Sequence, residues 1–359
     1  MKKTKSILII GPFPEPTTGV SLANKVVRDI LNEQSNYNVA SINTSYSRFD
    51  EAIGKFSFHK LFFNLSFYSK AYKILSYKTI YITPGQTFFG VIKYTGFIII
   101  SSLLGREIIV HVHGNHMGNE YKTLHGVKKK LFHYLLSKTT KGIVLSKSLK
   151  GNMTPFIAEE KVKVLPNFAE DYLLNTTIKK SFEKLQIIYL SNLMEEKGIF
   201  DLLDALTLLE ESKIPYEAKI AGAIDYTQKE EIEKRFYTLQ HTTYVGIVKG
   251  NEKNDLLNWG TVFVLPTYYK MEGQPISILE AMATGNVILT TTHAGIPDVV
   301  TGGIHGRFFE KKNPKELYKA LAYFDTNKDE LSQMSNSNKH YFKKNFTRLQ
   351  FKQRLLEII

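Results

Sequence analysis

The chain has 359 residues, 43% hydrophobic and 23% charged, which is the balance of a soluble globular protein long enough for two domains rather than one core. It contains no cysteine, which excludes disulfides and thiolate zinc sites and fits a reducing cytoplasm. The net charge of +13 is lopsided: residues 1–171 hold 23 Lys and Arg against 11 Asp and Glu, while the rest hold 24 against 23, so an anionic partner is expected at the first half.

The N-terminal stretch MKKTKSILIIGPFP has only four apolar residues, Ile7–Ile10, before Gly11 and Pro12. A secretory h-region needs about 7–15, so the run predicts a first buried β-strand. GPFPEPTTGVSLANKVV follows it and lacks the GxGxxG dinucleotide fingerprint. Gly19 stands at the head of a helix-like run, Val20–Leu31, where a backbone without a Cβ can approach a ligand closely. Residues Lys55–Lys78 interleave aromatics with five lysines. Tyr94–Gly105 is uncharged but falls short of the roughly 20 residues a membrane span requires, and predicts a buried helix. In IIVHVHG, His111 and His113 alternate along a strand and so share a face. No carboxylate cluster and no Asp-x-Asp accompanies them, so no metal is expected. His125–Gly142 predicts a basic helix with Lys128–Lys130, and Leu131, Phe132, Leu135 and Leu136 on an apolar face. Such faces suit an interfacial helix, and core packing accounts for the apolar residues equally well.

Short β-branched runs alternate with helical patterns along the whole chain: SILIIG, KTIYIT, EIIVHVHG and GIVLS, then LQIIYLS, EAKIAG, TTYVG, VFVLP and NVILTT. This is the signature of α/β architecture with parallel sheets covered on both faces. The polar stretch after Pro166-Asn167 predicts a boundary near residue 170. The expected domains are 1–170, completed by a C-terminal helix over 340–359, and 171–339, with ligands in the cleft between them at the strand carboxyl ends.

The most informative stretch is EGQPISILEAMATG, Glu272–Gly285. Pro275 suits the first position of a helix over Ile276–Thr284, and Gly285 suits its end. The free N–H groups at the helix start form an anion site. Glu280 lies about one turn along, and Glu272 precedes the helix at the end of the VFVLP strand. Two acids on either side of an anion site match the order ribose, diphosphate, hexose of a nucleotide sugar.

This stretch resembles the donor motif of retaining GT-B glycosyltransferases of family 4, which has two glutamates with seven residues between them. AGIPDVVTGGIHGRFF and YLSNLMEEKGIFDLLDAL resemble the neighbouring segments of that family. The resemblance implies two Rossmann-like doubly wound domains facing a central cleft. It implies that Glu280 holds the ribose, that Glu272 and His113 face the donor sugar, and that Lys197 neutralises the diphosphate. Gly273, Pro275, Ile276 and Ser277 would form the phosphate-binding helix start, Gly19 the glycine loop, and Gly246 and Ile247 part of the base cradle. His111 reads as structural. One departure stands out: where the family has Gly-Arg-Leu ahead of that lysine, this chain reads Ser191-Asn192-Leu193. The arginine position is Asn192, which leaves the diphosphate without a guanidinium. The implied activity is metal-independent, cofactor-free transfer of a hexose with retention of configuration. The implied acceptor is a saccharide, expected to be lipid-linked and part of bacterial surface polysaccharide. The basic first half then predicts a cytoplasmic protein peripheral on an anionic membrane, and no nucleic-acid module is evident. Alternatives are a soluble sugar-phosphate synthase or phosphorylase, and an inactive nucleotide-sugar-binding scaffold.

Overall fold

The computed structural model describes residues 4–15, 18–45, 68–174 and 180–359; residues 55–67 of the aromatic and lysine-rich stretch lie outside the described residues. The chain falls into two compact units, Met1–Pro166 with Arg354–Ile359, and Asn167–Gln353.

The first unit is built on six strands: β1 (Lys5–Gly11), β2 (Tyr37–Asn43), β3 (Thr79–Ile82), β4 (Glu107–Val112), β5 (Lys141–Val144) and β6 (Val162–Val164). They form one parallel sheet in the order β2-β1-β3-β4-β5-β6. Ile7, Leu8, Ile9 and Ile10 of β1 are fully buried, as a strand with helices on both faces must be. The edge strand β2, YNVASIN, is only partly buried, which explains its mixed sequence. The uncharged run after Tyr94 forms the helix Thr95–Leu103 and buries Phe97 and Ile98. In the helix Gly126–Ser137 the residues Phe132, Leu135 and Leu136 are buried, with Phe132 packed among the rings of Phe88, Tyr121 and Phe156. Its apolar face is therefore spent on the core. The chain end returns to this sheet, where Lys5 Nζ donates to the Ile359 carbonyl at 2.8 Å and Lys141 Nζ to that of Ile358 at 2.5 Å.

The second unit has β7 (Leu185–Leu190), β8 (Tyr216–Ala221), β9 (Thr242–Gly246), β10 (Val262–Leu265), β11 (Val287–Thr291) and β12 (Gly306–Phe309). They form a parallel sheet in the order β12-β11-β10-β7-β8-β9. The chain winds outward from β7 in one direction, then returns to its other side at β10 and winds outward again. The carboxyl ends of β7 and β10 therefore flank a topological switch point, where open α/β sheets leave a crevice. The helices Ile199–Glu211, Gly250–Trp259, Ile276–Ala283, Pro314–Thr326 and Lys328–Asn345 belong to this unit.

Candidate functional site

In the second unit, β7 leads through Ser191–Met194 into a 3₁₀ turn, Glu195–Lys197, closed by Gly198 at φ +77°. A Cβ on Gly198 would lie 2.3 Å from the Pro266 carbonyl oxygen, so only glycine lets this turn press against the end of β10. The turn delivers Lys197 to Glu272: Nζ is 2.5 Å from Oε2, with the side chains 15% and 9% exposed. Thr267 Oγ1 donates to the same carboxylate oxygen at 3.3 Å. The Tyr269 ring lies 5.0 Å from Lys197 Nζ, and its carbonyl accepts from Glu272 N–H at 2.8 Å. His293 Nε2 is 2.8 Å from that carbonyl, and its Nδ1 is 3.0 Å from Lys311 Nζ. An ammonium only donates, so Nδ1 accepts and Nε2–H donates, which fixes the tautomer. Burial, aided by the Lys311 charge, lowers the pKa of His293 from its ordinary value.

The segment after Glu272 is anchored before it becomes helical. Asn167 N–H donates to Gln274 Oε1 at 2.6 Å, Asn167 Nδ2 to the Gln274 carbonyl at 2.8 Å, and Gly295 N–H to the Gly273 carbonyl at 2.9 Å. Pro275 is the cap (φ −60°, ψ 120°) rather than the first helical residue, because its ψ is extended. The helix Ile276–Ala283 follows, and Gly285 sits just beyond it at φ +76°. The N–H groups of Ile276 and Ser277 are in the first turn and have no intrahelical acceptor, so they carry the positive end of the helix dipole.

Glu280 lies on this helix with 7% of its surface exposed. Its Oε1 is 2.5 Å from Lys253 Nζ, on the helix Gly250–Trp259. Burial raises the carboxyl pKa while Lys253 lowers it, and the net direction is upward. Lys253 was not legible in the sequence: it is one of many lysines, 27 residues from its partner. Asn192 is exposed at the end of β7, and its carbonyl accepts from Tyr189 OH at 2.8 Å. Gly246 ends β9 at φ +75° and Ile247 beyond it is 62% exposed. The second unit thus brings Lys197 and Glu272 into contact, pairs Glu280 with an unforeseen lysine, and sets Asn192, Gly246 and Ile247 at strand carboxyl ends.

Gly19 and His113 belong to the first unit. Gly19 is the first residue of the helix Gly19–Asn32, capped by Thr18 and Ser21, which bond each other's backbone N–H. Beside it, where β1 and β3 end, is a cavity of about 300 Å³ lined by Pro12, Thr18, Thr83, Pro84, Gly85 and Lys93, among others. This is the switch point of the first sheet. Lys93 Nζ donates to the Thr44 carbonyl at 2.8 Å, and burial brings its pKa down to about 8. His113 lies just beyond β4, its ring 3.9 Å from that of His111. His111 Nδ1 is 2.5 Å from Tyr81 OH, an interaction the sequence did not suggest. The Nε2 atoms of both histidines are buried and have no partner among the described residues. Burial lowers His113 to about 4, and burial together with His113 holds His111 well below the ordinary range, so both rings are neutral at pH 7. Among the described residues, no three of His, Asp and Glu converge as a metal site.

Known proteins resemble this chain in sequence and in fold. Residues 176–341 match the family described as Glycosyl transferases group 1. That range holds Lys197, Glu272, Lys253 and Glu280. The chain is 28% identical over 152 residues to the putative colanic acid biosynthesis glycosyltransferase WcaL of Escherichia coli K12, covering 41% of this chain and 37% of the relative. It is 26% identical over 153 residues to the amylovoran biosynthesis glycosyltransferase AmsK of Erwinia amylovora, covering 41% and 38%. The alignments thus span less than half the length of these relatives. The structure of Anabaena Alr3699/HepE in complex with UDP-glucose superposes with a TM-score of 0.74 at 13% identity, over 98% of both chains. The fold is GT-B, as the sequence motifs implied.

Proposed function

We propose that this chain is a retaining glycosyltransferase that moves a hexose from a nucleoside diphosphate sugar to a saccharide hydroxyl. The observation that carries this reading is the Lys197–Glu272 pair, held at the switch point directly before the helix start at Ile276, with Glu280 farther along the same helix. In this reading Lys197 and the N–H groups of Ile276 and Ser277 meet the diphosphate, and Glu280 accepts from the ribose hydroxyls. Gly246 and Ile247 border the base. Glu272 and neutral His113 hold hydroxyls of the sugar. The acceptor oxygen bonds to the anomeric carbon as the bond from that carbon to the diphosphate oxygen breaks. The acceptor proton passes to the departing diphosphate on the same face. Charge developing on the diphosphate is met by groups already in place, which is electrostatic catalysis without a metal. Lys197 bears more of this task because Asn192 supplies no charge. The acceptor would sit at the Gly19 and Thr18 side of the first unit. Its assignment to lipid-linked saccharides of bacterial surface polysaccharide rests on the kind of relatives the chain resembles and on its basic first half.

The test supplies the purified chain with UDP-, GDP- and ADP-glucose and a lipid-linked saccharide, with and without EDTA. Release of nucleoside diphosphate that needs the acceptor, survives EDTA and gives a product of unchanged anomeric configuration supports the proposal. An inverted product, or loss of activity restored by Mg²⁺ or Mn²⁺, overturns the corresponding part of it.

A further inference from the structure

Lys253 is not part of the two-glutamate motif, yet it is the cation paired with the second glutamate, Glu280. Lys253 stands in the opening turn of the helix Gly250–Trp259, close in sequence to Gly246 and Ile247. Its side chain is 22% exposed and that of Glu280 10%. Among the described residues, Glu280 Oε1 takes Lys253 while Oε2 accepts no hydrogen bond and is not sealed from solvent. One carboxylate oxygen is thus locked and the other is presented. We propose that Lys253 is a positioning residue for nucleotide recognition: it keeps Glu280 ionised and fixes which oxygen receives the ribose diol, so that it sets the preference for ribonucleotides over 2′-deoxynucleotides.

The electrostatics run the same way. A carboxylate buried to this degree loses hydration and shifts toward its neutral form unless a cation accompanies it. Glu170, just upstream of the turn Asp171–Leu174, adds to the upward push on Glu280, and Lys253 opposes both. Burial pulls the lysine pKa down, but Glu280, with Tyr172 and Glu170 contributing, leaves it raised, so Lys253 stays a cation. Without that cation, burial and Glu170 push Glu280 further toward its neutral form with nothing to oppose them. A carboxylic acid is a weaker acceptor than a carboxylate for two vicinal hydroxyls.

This inference rests on the reading of Glu280 as the ribose acid, and the experiment separates the two. Calorimetry measures UDP, GDP and ADP, each against its 2′-deoxy form, for the native chain, Lys253→Met, Lys253→Arg, Glu280→Gln and the Lys253→Met/Glu280→Gln double variant, from pH 6 to pH 9. The native chain is expected to favour one ribonucleotide over its deoxy form by about tenfold with little pH dependence, the factor lost with one hydrogen bond of roughly 1.4 kcal/mol. Lys253→Met should lose most of that preference at pH 6 and regain affinity toward pH 9. Lys253→Arg should retain the preference, and Lys253→Met should add nothing in the Glu280→Gln background. A Lys253→Met variant with native preference and a flat pH profile overturns the inference while leaving Glu280 in its role. Equal binding of ribo and deoxy forms by the native chain, or no binding of any nucleotide, overturns the ribose reading and this inference with it. If Lys253→Met does not fold, a pH-dependent or weakened preference in Lys253→Gln supports the proposal and a native profile overturns it.

Discussion

Lys197 Nζ lies 2.5 Å from Glu272 Oε2 although the two residues are 75 positions apart, and both side chains are largely buried. Removing one partner of such a pair leaves an uncompensated buried charge, typically at a cost of about 3–5 kcal/mol, whereas removing both costs far less. Lys197→Met should therefore lower Tm markedly. Glu272→Gln, which still accepts from Thr267 and Lys197, should lower it less, and the Lys197→Met/Glu272→Gln double variant should be more stable than Lys197→Met alone. Additive losses in a denaturation cycle would show that the pair is not coupled.

Gly198 fixes where Lys197 sits. An alanine there would need φ near +77° and would place its Cβ 2.3 Å from the Pro266 carbonyl oxygen. The positive φ alone costs on the order of 1 kcal/mol or more for a residue with a Cβ, and the clash forces the turn away from β10. Gly198→Ala should lose stability and displace Lys197 from Glu272. Thermal unfolding at the native Tm would contradict this.

Much of this was legible in the sequence because parallel strands buried on both faces read as continuous apolar runs: β1, β3, β4, β7 and β10 all stood out. β2 did not, since an edge strand with Asn38, Ser41 and Asn43 shows no such run. β12 did not, being four residues long and only partly buried. At the site, the residues legible in advance were those whose spacing along the chain carries meaning: Glu272 and Glu280 around a helix start, and Lys197 before Gly198. Lys253, Tyr269, His293 and Tyr81 become significant only through contacts across the fold, and no local pattern marks them.

His113 is expected to stay neutral far below the pH at which an exposed imidazole titrates. Burial lowers its pKa from 6.5 to about 4. Between these values the unfolded chain binds a proton that the folded chain does not, so stability rises with pH across this window and is lost as pH falls from 6.5 toward 4. His111 pushes in the same direction, since burial and His113 hold it below its ordinary value. Nitrogen chemical shifts of His113 should show no ring protonation above about pH 5. Titration near the ordinary imidazole value would mean the ring is hydrated, and would count against the proposed role of His113 as a neutral hydrogen-bonding group toward the sugar.

The basic first half predicts association with an anionic membrane through charge rather than through an inserted helix. Among the described residues no helix is long and apolar enough to cross a membrane, and the apolar face of Gly126–Ser137 packs into the core. What this helix leaves outside is Lys128 and Lys130, with Val127 80% and Tyr134 49% exposed. Lys128 Nζ lies 5.7 Å from the Phe88 ring centroid, so the short helix Phe88–Ile92, with Phe89 74% exposed, borders the same basic surface. An anionic leaflet attracts each nearby lysine by roughly 1 kcal/mol, so three or four such contacts support reversible binding. The Debye length shrinks from about 8 Å at physiological ionic strength to about 3 Å at 1 M salt, which should release the protein. The chain is therefore expected to cosediment with phosphatidylserine-containing vesicles, to bind neutral phosphatidylcholine vesicles weakly, and to dissociate at about 1 M NaCl. Replacing Lys128, Lys129 and Lys130 with Gln should weaken vesicle binding and leave Tm and nucleotide affinity unchanged, because none of these side chains is buried. Phe89→Ser separates the apolar contribution: if it abolishes binding while the lysine variant does not, insertion rather than charge holds the protein at the surface.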